Sequence, residues 1–507
     1  MPKGRVSELL AVRVIGINGE AMRRAGLPQY TSKEIIELTK NDPATWDILA
    51  KGWTQGINQC QGIGTTEKLM TYKPRSLQDL SAFVAAIRPG FKSMVSKFLN
   101  REKFEYGIPS FDVLLKNDTT GSSWLLYQED IMKCLGLAGF DMSETYPIIK
   151  AISKKKVKVI ESARVRFIDN FKEHIVASDG MNTEESSKVS ENVWQIIIDS
   201  SRYSFNSSHA VAVALDALYG AYLKAHYPFE YYSTLLDTYA NQGNKDKVSL
   251  IKDEMRKAFG IRIVPCRFRQ DNRSFYIDKQ NKQVADALHS VKHIGKSVAK
   301  ELYRMRDDQF DSFIDLLCVL DENRAFTSKT IKILIRMGYF EEFGSKGKLL
   351  KLFGEFSDGK NKITKQLKDA TREKRLIWLK EYEAQCPDED ISIEEQMSFE
   401  AEHYGSPISV YPEAHGMYVV LELETKYSPK AKCYSISTGA TGTLKILKKD
   451  FNENQFAAGD IIKILHAKKK PAVSYVDGKR VPRKGVYENW VDLYEVTRMT
   501  KEENTDG

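Results

Sequence analysis

The chain has 507 residues, 42% of them hydrophobic and 28% charged, with a formal net charge of +8. That length and apolar content support several domains with their own cores, and no uninterrupted apolar run approaches bilayer length, so a membrane-spanning helix is excluded. Six cysteines (Cys60, Cys134, Cys266, Cys318, Cys386 and Cys433) stand singly without a CxxC pair. With no basic-then-apolar leader pattern at the start, this excludes a zinc or disulfide framework and leads us to expect a reducing cytoplasm.

After a short start, residues 27–278 read as mostly helical and rich in aromatics. Within them, residues 203–232, YSFNSSHAVAVALDALYGAYLKAHYPFEYY, place a polar, aromatic turn directly before an unusually apolar helix. Ser207 or Ser208 is expected to cap that helix, the Ala/Val/Leu face from Ala210 to Leu223 to be buried, and Pro228 to stop it. Upstream lies a basic element, Lys150 followed by Lys154, Lys155 and Lys156. Taken alone, such a run reads as a solvated face.

From 279 to 344 short helices are broken at glycines, forming two units the size of a helix-turn-helix. Residues 345–410 are highly charged and helical, with the exposed-looking run GKNKITKQLKDATREKRLIWLKEYEAQ. From 411 to 497 the pattern switches to strand-like alternation in YVVLELE, KCYSISTG, GTLKILKKD and GDIIKILHA. HAKKK, with Lys468, Lys469 and Lys470, reads by composition as a surface loop, and KRVPRKG lies between later strands. Residues 498–507 read as a frayed tail.

The segment at 203–232 resembles the FNxSHA…AYLKAHYPxEF element in the fingers of the C-family replicative DNA polymerases, the polymerase III alpha subunits. The resemblance runs in order over roughly residues 10–415. It is carried by NDPATWDILAKGWTQGINQCQG, KLMTYKPRSLQDLSAFVAAIRPG, WLLYQEDIMKCLGLAGFDMSE, YPIIKAISKKK, ARVRFIDNFKEHIV and EEQMSFEAEHYGSPISVYPE. It implies a multidomain, mainly α fold. A palm remnant (1–26) would be followed by helical fingers (27–278), a tandem helix-hairpin-helix (279–344), a charged linker (345–410) and a small C-terminal β-barrel (411–497). Position in that order favours the oligonucleotide-binding type of barrel over a generic interaction module, with Lys468 to Lys470 and Tyr475 available to track single-stranded template.

The resemblance also implies roles for particular residues. Lys150, Lys154, Lys155 and Lys156 correspond to a nucleotide-binding element of the fingers, where lysines neutralise a triphosphate as point charges. Ile149-Lys150 replaces a paired Arg-Arg, so a bidentate clamp is weakened or lost. Arg88 of RPG and His209 of SSHA correspond to further nucleotide-site positions, with a core or turn-stabilising role equally open. In ALHSVKHIGKSVAKELYRM, Lys292, Gly295, Lys296 and Ser297 fall on a hairpin that aims backbone amides at a DNA phosphate, with His293 in place of the first hairpin glycine. Gly338 falls in the second unit. QMSF, residues 396–399, is faintly similar to a clamp-binding motif but overlaps another match and is discounted.

Nucleotidyl transfer needs metal ions held by clustered carboxylates. No catalytic and no metal-binding residue is assigned to this chain, because the palm motif of the PDxDxDF type is not recognisable and Arg13 stands where a third aspartate would fall. Cys386-Pro387-Asp388-Glu389-Asp390 lies at the wrong end of the order and reads as a solvated acidic turn. The expectation is a split polymerase: primer-template DNA and deoxynucleoside triphosphates as ligands, Mg2+ in the assembled enzyme, and a separate palm-bearing chain as partner. The resemblance also allows a sliding clamp as a further partner. The alternative from another class is a non-catalytic DNA-binding protein derived from such a subunit.

Overall fold

The computed structural model describes residues 16–88, 91, 94–117, 121–201, 205–363, 367–476 and 479–497, without the side chains of 245 and 474–486. The expected palm remnant through residue 15, Arg13, the side chain of Tyr475 and the tail from 498 lie outside the described residues. By contacts the chain divides into two compact units, Met1–Leu235 and Leu236–Gly507.

The first unit is helical and is organised around the Ser207–His226 helix. Ala210, Ala214, Ala217 and Ala221 recur along one face and are fully buried. Small side chains at this spacing let neighbouring helices approach closely, and this face packs against the Leu77–Ala86 and Pro43–Ala50 helices. The cap differs from expectation. Asn206 is the N-cap, its side chain accepting from the His209 amide at 3.1 Å. Both serines lie inside the first turn, where their hydroxyls are no longer placed to cap. Tyr227 closes the helix by donating its amide to the Leu223 carbonyl, and Pro228 then opens the Pro228–Asn241 helix. A proline is tolerated there because the first-turn amide has no partner in any case. A second core in this unit gathers Phe111, Ile131, Phe167, Phe171 and Trp194 around the long Val157–Asp179 and Thr183–Ser201 helices.

Asn18, from the helix at 16–24, reaches this central helix and donates to Asp216 Oδ1 at 3.0 Å. Burial raises the Asp216 pKa against hydrogen bonds from Asn58 and Asn18. Its Oδ2, like Asn18 Oδ1, is buried with no hydrogen-bond partner. A carboxyl whose folded pKa lies above the unfolded one favours the native state while protonated, and that contribution is lost as pH rises through the folded value. Asp216→Asn is therefore expected to raise stability at pH 7 and above, by on the order of 1 kcal/mol. It should also flatten the fall in stability from mildly acid to neutral pH. Urea melts of both proteins at pH 5 and 8 would show it.

After the last residues of the Pro228–Asn241 helix, the second unit has the Lys245–Phe259 helix and a small sheet of β1 (Arg262–Val264), β2 (Tyr276–Asp278) and β3 (Gln283–Ala285) in the order β1-β3-β2. Short helices follow at Lys296–Arg304, Phe313–Glu322 and Ser328–Arg336. They share a core with Lys346–Ser357 that includes Leu302, Phe313, Leu334, Phe340 and Phe353. The chain then forms a closed barrel of β4 (Met417–Glu424), β5 (Lys430–Ser435), β6 (Thr441–Ile446), β7 (Ile461–Val476) and β8 (Lys479–Thr497) in the order β4-β5-β6-β8-β7. β6 and β8 run parallel and every other pair is antiparallel. This is the five-stranded closed topology of an oligonucleotide-binding fold.

The loop expected at HAKKK is strand instead. Lys468, Lys469 and Lys470 sit within β7, opposite Trp490, Asn489 and Glu488 of β8. Charged residues are tolerated here because this part of the strand is exposed, where cross-strand pairs rather than burial stabilise the ladder. All six cysteines are free thiols. Among the described residues no helix is long and apolar enough to cross a membrane.

Candidate nucleotide and nucleic-acid site

Four motif segments, far apart in sequence, meet at Phe205. Arg88 places its guanidinium 4.4 Å from the Phe205 ring centroid and donates to Gln59 Oε1 at 2.5 Å. Gln59 itself holds a left-handed backbone, φ 53°, a region rare for a residue with a side chain and worth attention at a functional site. The Phe205 carbonyl accepts from the Gln128 amide at 3.0 Å, and Tyr127 and Phe205 form a parallel bridge. Glu129 accepts from Asn206 Nδ2 at 2.6 Å and from the Ser207 amide at 3.0 Å, fixing the turn before the central helix. His209 completes the cluster, its exposed ring 4.7 Å from that of Phe205.

Arg88 and His209 are thus brought together through Phe205. Burial lowers the Arg88 pKa, and its Nε is buried without a hydrogen-bond partner. Sequence reasoning named Arg88 and His209 but gave no role to Gln59, Glu129 or Phe205. The signal for all three was present, since each lies inside a quoted motif.

The lysine element forms a turn between two helices. Lys154 ends the Met142–Ser153 helix, Lys155 takes φ 56°, and Lys156 is the N-cap of Val157–Asp179 with no side-chain cap. Lys150, Lys154, Lys155 and Lys156 are all exposed. Among the described residues none of them has a carboxylate at ion-pair distance. Lys150 Nζ stands 5.5 Å from the Tyr146 ring centroid. Ile149, at the position of the lost arginine, is 2% exposed and belongs to the core. No hydrogen bond or ion pair among the described residues joins this turn to Phe205.

Among the described residues of the same unit one cation, Lys224, is fully buried. Its ammonium donates to the Trp53 carbonyl at 2.8 Å and the Gln55 carbonyl at 2.6 Å, and lies over the rings of Tyr231 and Tyr232 at 5.4 and 5.3 Å. It fastens the 53–56 loop, which leads into Gln59, to the central helix.

In the second unit the first hairpin spans Lys292 to Ser297, with only Ile294 buried. His293 adopts φ 69°, the conformation that makes glycine the default residue there. Gly295 is the N-cap of Lys296–Arg304 without a side-chain cap, so no cap side chain claims the first-turn amides of the exposed Lys296 and Ser297. Lys292 is partly engaged, its Nζ 3.4 Å from Glu402. Gly338 has a different place. It is buried at φ 70° just past the Ser328–Arg336 helix, where its amide donates to the Ile335 carbonyl and the Tyr339 amide to Leu334. This is a Schellman stop, and its carbonyl accepts from Arg267 Nη1 at 2.8 Å. The exposed turn of the second unit is instead Asn323 to Thr327, with Thr327 capping the helix.

The acidic turn at 386–390 is a tether. Asp388 accepts from the Ser345 amide at 2.7 Å, Glu389 pairs with Lys351 at 3.0 Å and Asp390 with Lys346 at 3.3 Å. Gln396, Met397 and Phe399 are buried, so QMSF is not an exposed docking peptide. Among the described residues no three His, Cys, Asp or Glu side chains converge as metal ligands. The described residues do not fit a two-metal site.

Helical fingers-type segments, helix-hairpin-helix units and a closed oligonucleotide-binding-type barrel, in that order, make the chain similar to the C-terminal portion of a C-family replicative DNA polymerase. Residues 24–175 match the bacterial DNA polymerase III alpha subunit finger domain, and residues 260–349 match the helix-hairpin-helix motif. Among curated relatives, the chain is 31% identical to DNA polymerase III subunit alpha of Bacillus subtilis over 316 residues, covering 61% of this chain and 27% of that protein. It is 30% identical to that of Aquifex aeolicus over 443 residues, 84% of this chain and 35% of the relative. For Thermus aquaticus the figures are 28% over 355 residues, 68% and 28%. The aligned portion therefore spans about a third of the length of these relatives.

Proposed function

We propose that this chain supplies the fingers, the tandem helix-hairpin-helix and the barrel of a DNA-directed DNA polymerase. It would bind the incoming deoxynucleoside triphosphate and primer-template DNA, while a palm-bearing chain provides the metal-holding aspartates. The observation that supports this reading is that Arg88 and His209 both pack on the Phe205 ring, with Gln59 holding Arg88 and Glu129 holding the adjoining Asn206–Ser207 turn. The uncompensated lysine turn of the same unit would neutralise the phosphates, and the first-turn amides at Lys296 and Ser297 would hold a duplex phosphate without reading sequence.

Two measurements test it. Alone, with Mg2+ or Mn2+, the chain should not extend a primed template; mixed with a palm-bearing partner, it should. Duplex binding should be indifferent to sequence and fall steeply with salt, with a log-log slope of about −0.9 for each phosphate neutralised. Lys296→Gln should reduce that slope by about one. Robust extension by the pure chain would overturn the division of labour, and a flat salt response would overturn the hairpin assignment.

A further inference from the structure

The charged run between the hairpin units and the barrel forms a surface that this reading leaves unused. Asp369–Gln385 lies antiparallel along Phe313–Glu322: Glu383 accepts from the Phe313 and Ile314 amides at 2.8 and 3.2 Å, Lys380 meets Asp315 at 2.8 Å, and Arg372 meets Glu322 at 3.2 Å. This register is set by three contacts along the helices. It places the N-terminal end of the later helix beside the exposed turn of the second hairpin, Asn323 to Thr327.

Along that helix an aromatic pair is left at the surface. Trp378 stacks on Tyr382 with ring centroids 5.5 Å apart and planes 16° apart, yet remains 41% exposed. Ile377 and Val319 are exposed beside this register. Lys374 lies one turn before Trp378. Arg375 Nη1 donates to the Lys362 carbonyl at 2.5 Å, bringing the segment with Lys360 and Lys362 to the same end. Lys360, Lys362, Lys368 and Lys374 are exposed, as are Arg324 and Lys329 at the second hairpin. Among the described residues none of these six has a carboxylate at ion-pair distance.

We infer that this face is a binding site for single-stranded nucleic acid, with Trp378 as the stacking platform for an unpaired base and the six cations tracking the phosphates. The charge selects a polyanion. The exposed, pre-stacked ring selects an unpaired base over a duplex, whose bases already stack on each other. Continuity with the second hairpin makes it an exit path for a strand leaving duplex held there; that last clause rests on the function proposed above, while the site itself does not.

The test uses the full chain and a 20-nucleotide oligothymidylate carrying one 5-iodouracil. Irradiation should cross-link the oligonucleotide to Trp378, and Trp378→Ala should weaken its binding by fluorescence anisotropy by roughly fivefold or more. Blunt-duplex affinity should stay unchanged, and Trp378→Phe should retain most of the binding. Because Trp378 is exposed, the alanine protein should melt like the parent, which the same samples verify by circular dichroism. Unchanged oligothymidylate affinity in Trp378→Ala, with cross-links elsewhere, would overturn the proposal. So would an equal loss for duplex and single strand, or a protein partner whose capture needs Trp378 while oligothymidylate binding does not. Loss of duplex binding in Lys296→Gln with this site intact would leave the inference standing and count only on the hairpin.

Discussion

Replacing Lys224 by methionine is expected to destabilise the first unit by about 2 to 4 kcal/mol, since it leaves two carbonyl acceptors without their donor at about 1 to 3 kcal/mol each. Methionine matches the length of the stem, so the packing term is small. What is lost is the donor. The half-buried Trp53 and Gln55 carbonyls, at 2.8 and 2.6 Å from Nζ, would face a thioether that cannot donate. Two tyrosine rings that stabilise the cation would face a neutral group. Because the 53–56 loop leads directly into Gln59, the loss should reach the Phe205 cluster, and any nucleotide affinity should fall with stability. Denaturant unfolding followed by fluorescence of Trp46 and Trp53 would measure it. A midpoint shift worth less than about 1 kcal/mol would show that water replaces the ammonium without cost.

Lys224 also marks where reading the sequence stops. The string AYLKAHYP was legible as the end of a buried helix, and the Ala210 to Leu223 face is buried as its spacing requires. Helical periodicity assigns a lysine to the solvent side, and only the tertiary fold supplies the two carbonyls that draw Lys224 inside. The misplaced cap has a related cause. Asn206, Ser207 and Ser208 are all good capping residues, and the choice among them is made by Glu129, 77 residues away, which holds the Asn206 amide.

At the barrel, strand alternation located β4 to β6 and the start of β7, and the mainly helical fold with a small terminal barrel agrees with the structure. Composition failed at Lys468 to Lys470, because a lysine run looks like a loop unless a partner strand is known. Here β8 supplies one, with Lys470 Nζ 4.7 Å from the Trp490 ring centroid and Lys468 paired with Asp492 at 3.0 Å. Gly338 shows the converse. A glycine after a helix serves equally as a phosphate-facing turn or a buried stop, and burial alone decides between them.

The second large effect concerns nucleotide capture. In a reconstituted pair with a palm-bearing chain, replacing Lys150 and Lys154 together by alanine is expected to raise the apparent nucleotide constant by more than about tenfold, since each charge-assisted contact contributes about 1.5 to 3 kcal/mol. Neither lysine has a carboxylate partner at ion-pair distance among the described residues, so removing them breaks no internal ion pair. The folded state should be nearly as stable as before. Lys150 projects beside Tyr146 and Lys154 closes the helix, so both lie on the exposed side of Met142–Ser153 while Ile148, Ile149 and Ile152 hold the other side in the core. With Ile149 buried, no second side chain at this step can substitute for Lys150. Duplex affinity should be unchanged, because the duplex phosphate is assigned to the hairpin amides and not to this turn. Steady-state incorporation against nucleotide concentration, with duplex binding measured on the same protein, separates the readings. An unchanged constant would make the lysine turn a solvated face, and a parallel loss of duplex binding would place it on the DNA track instead of at the triphosphate.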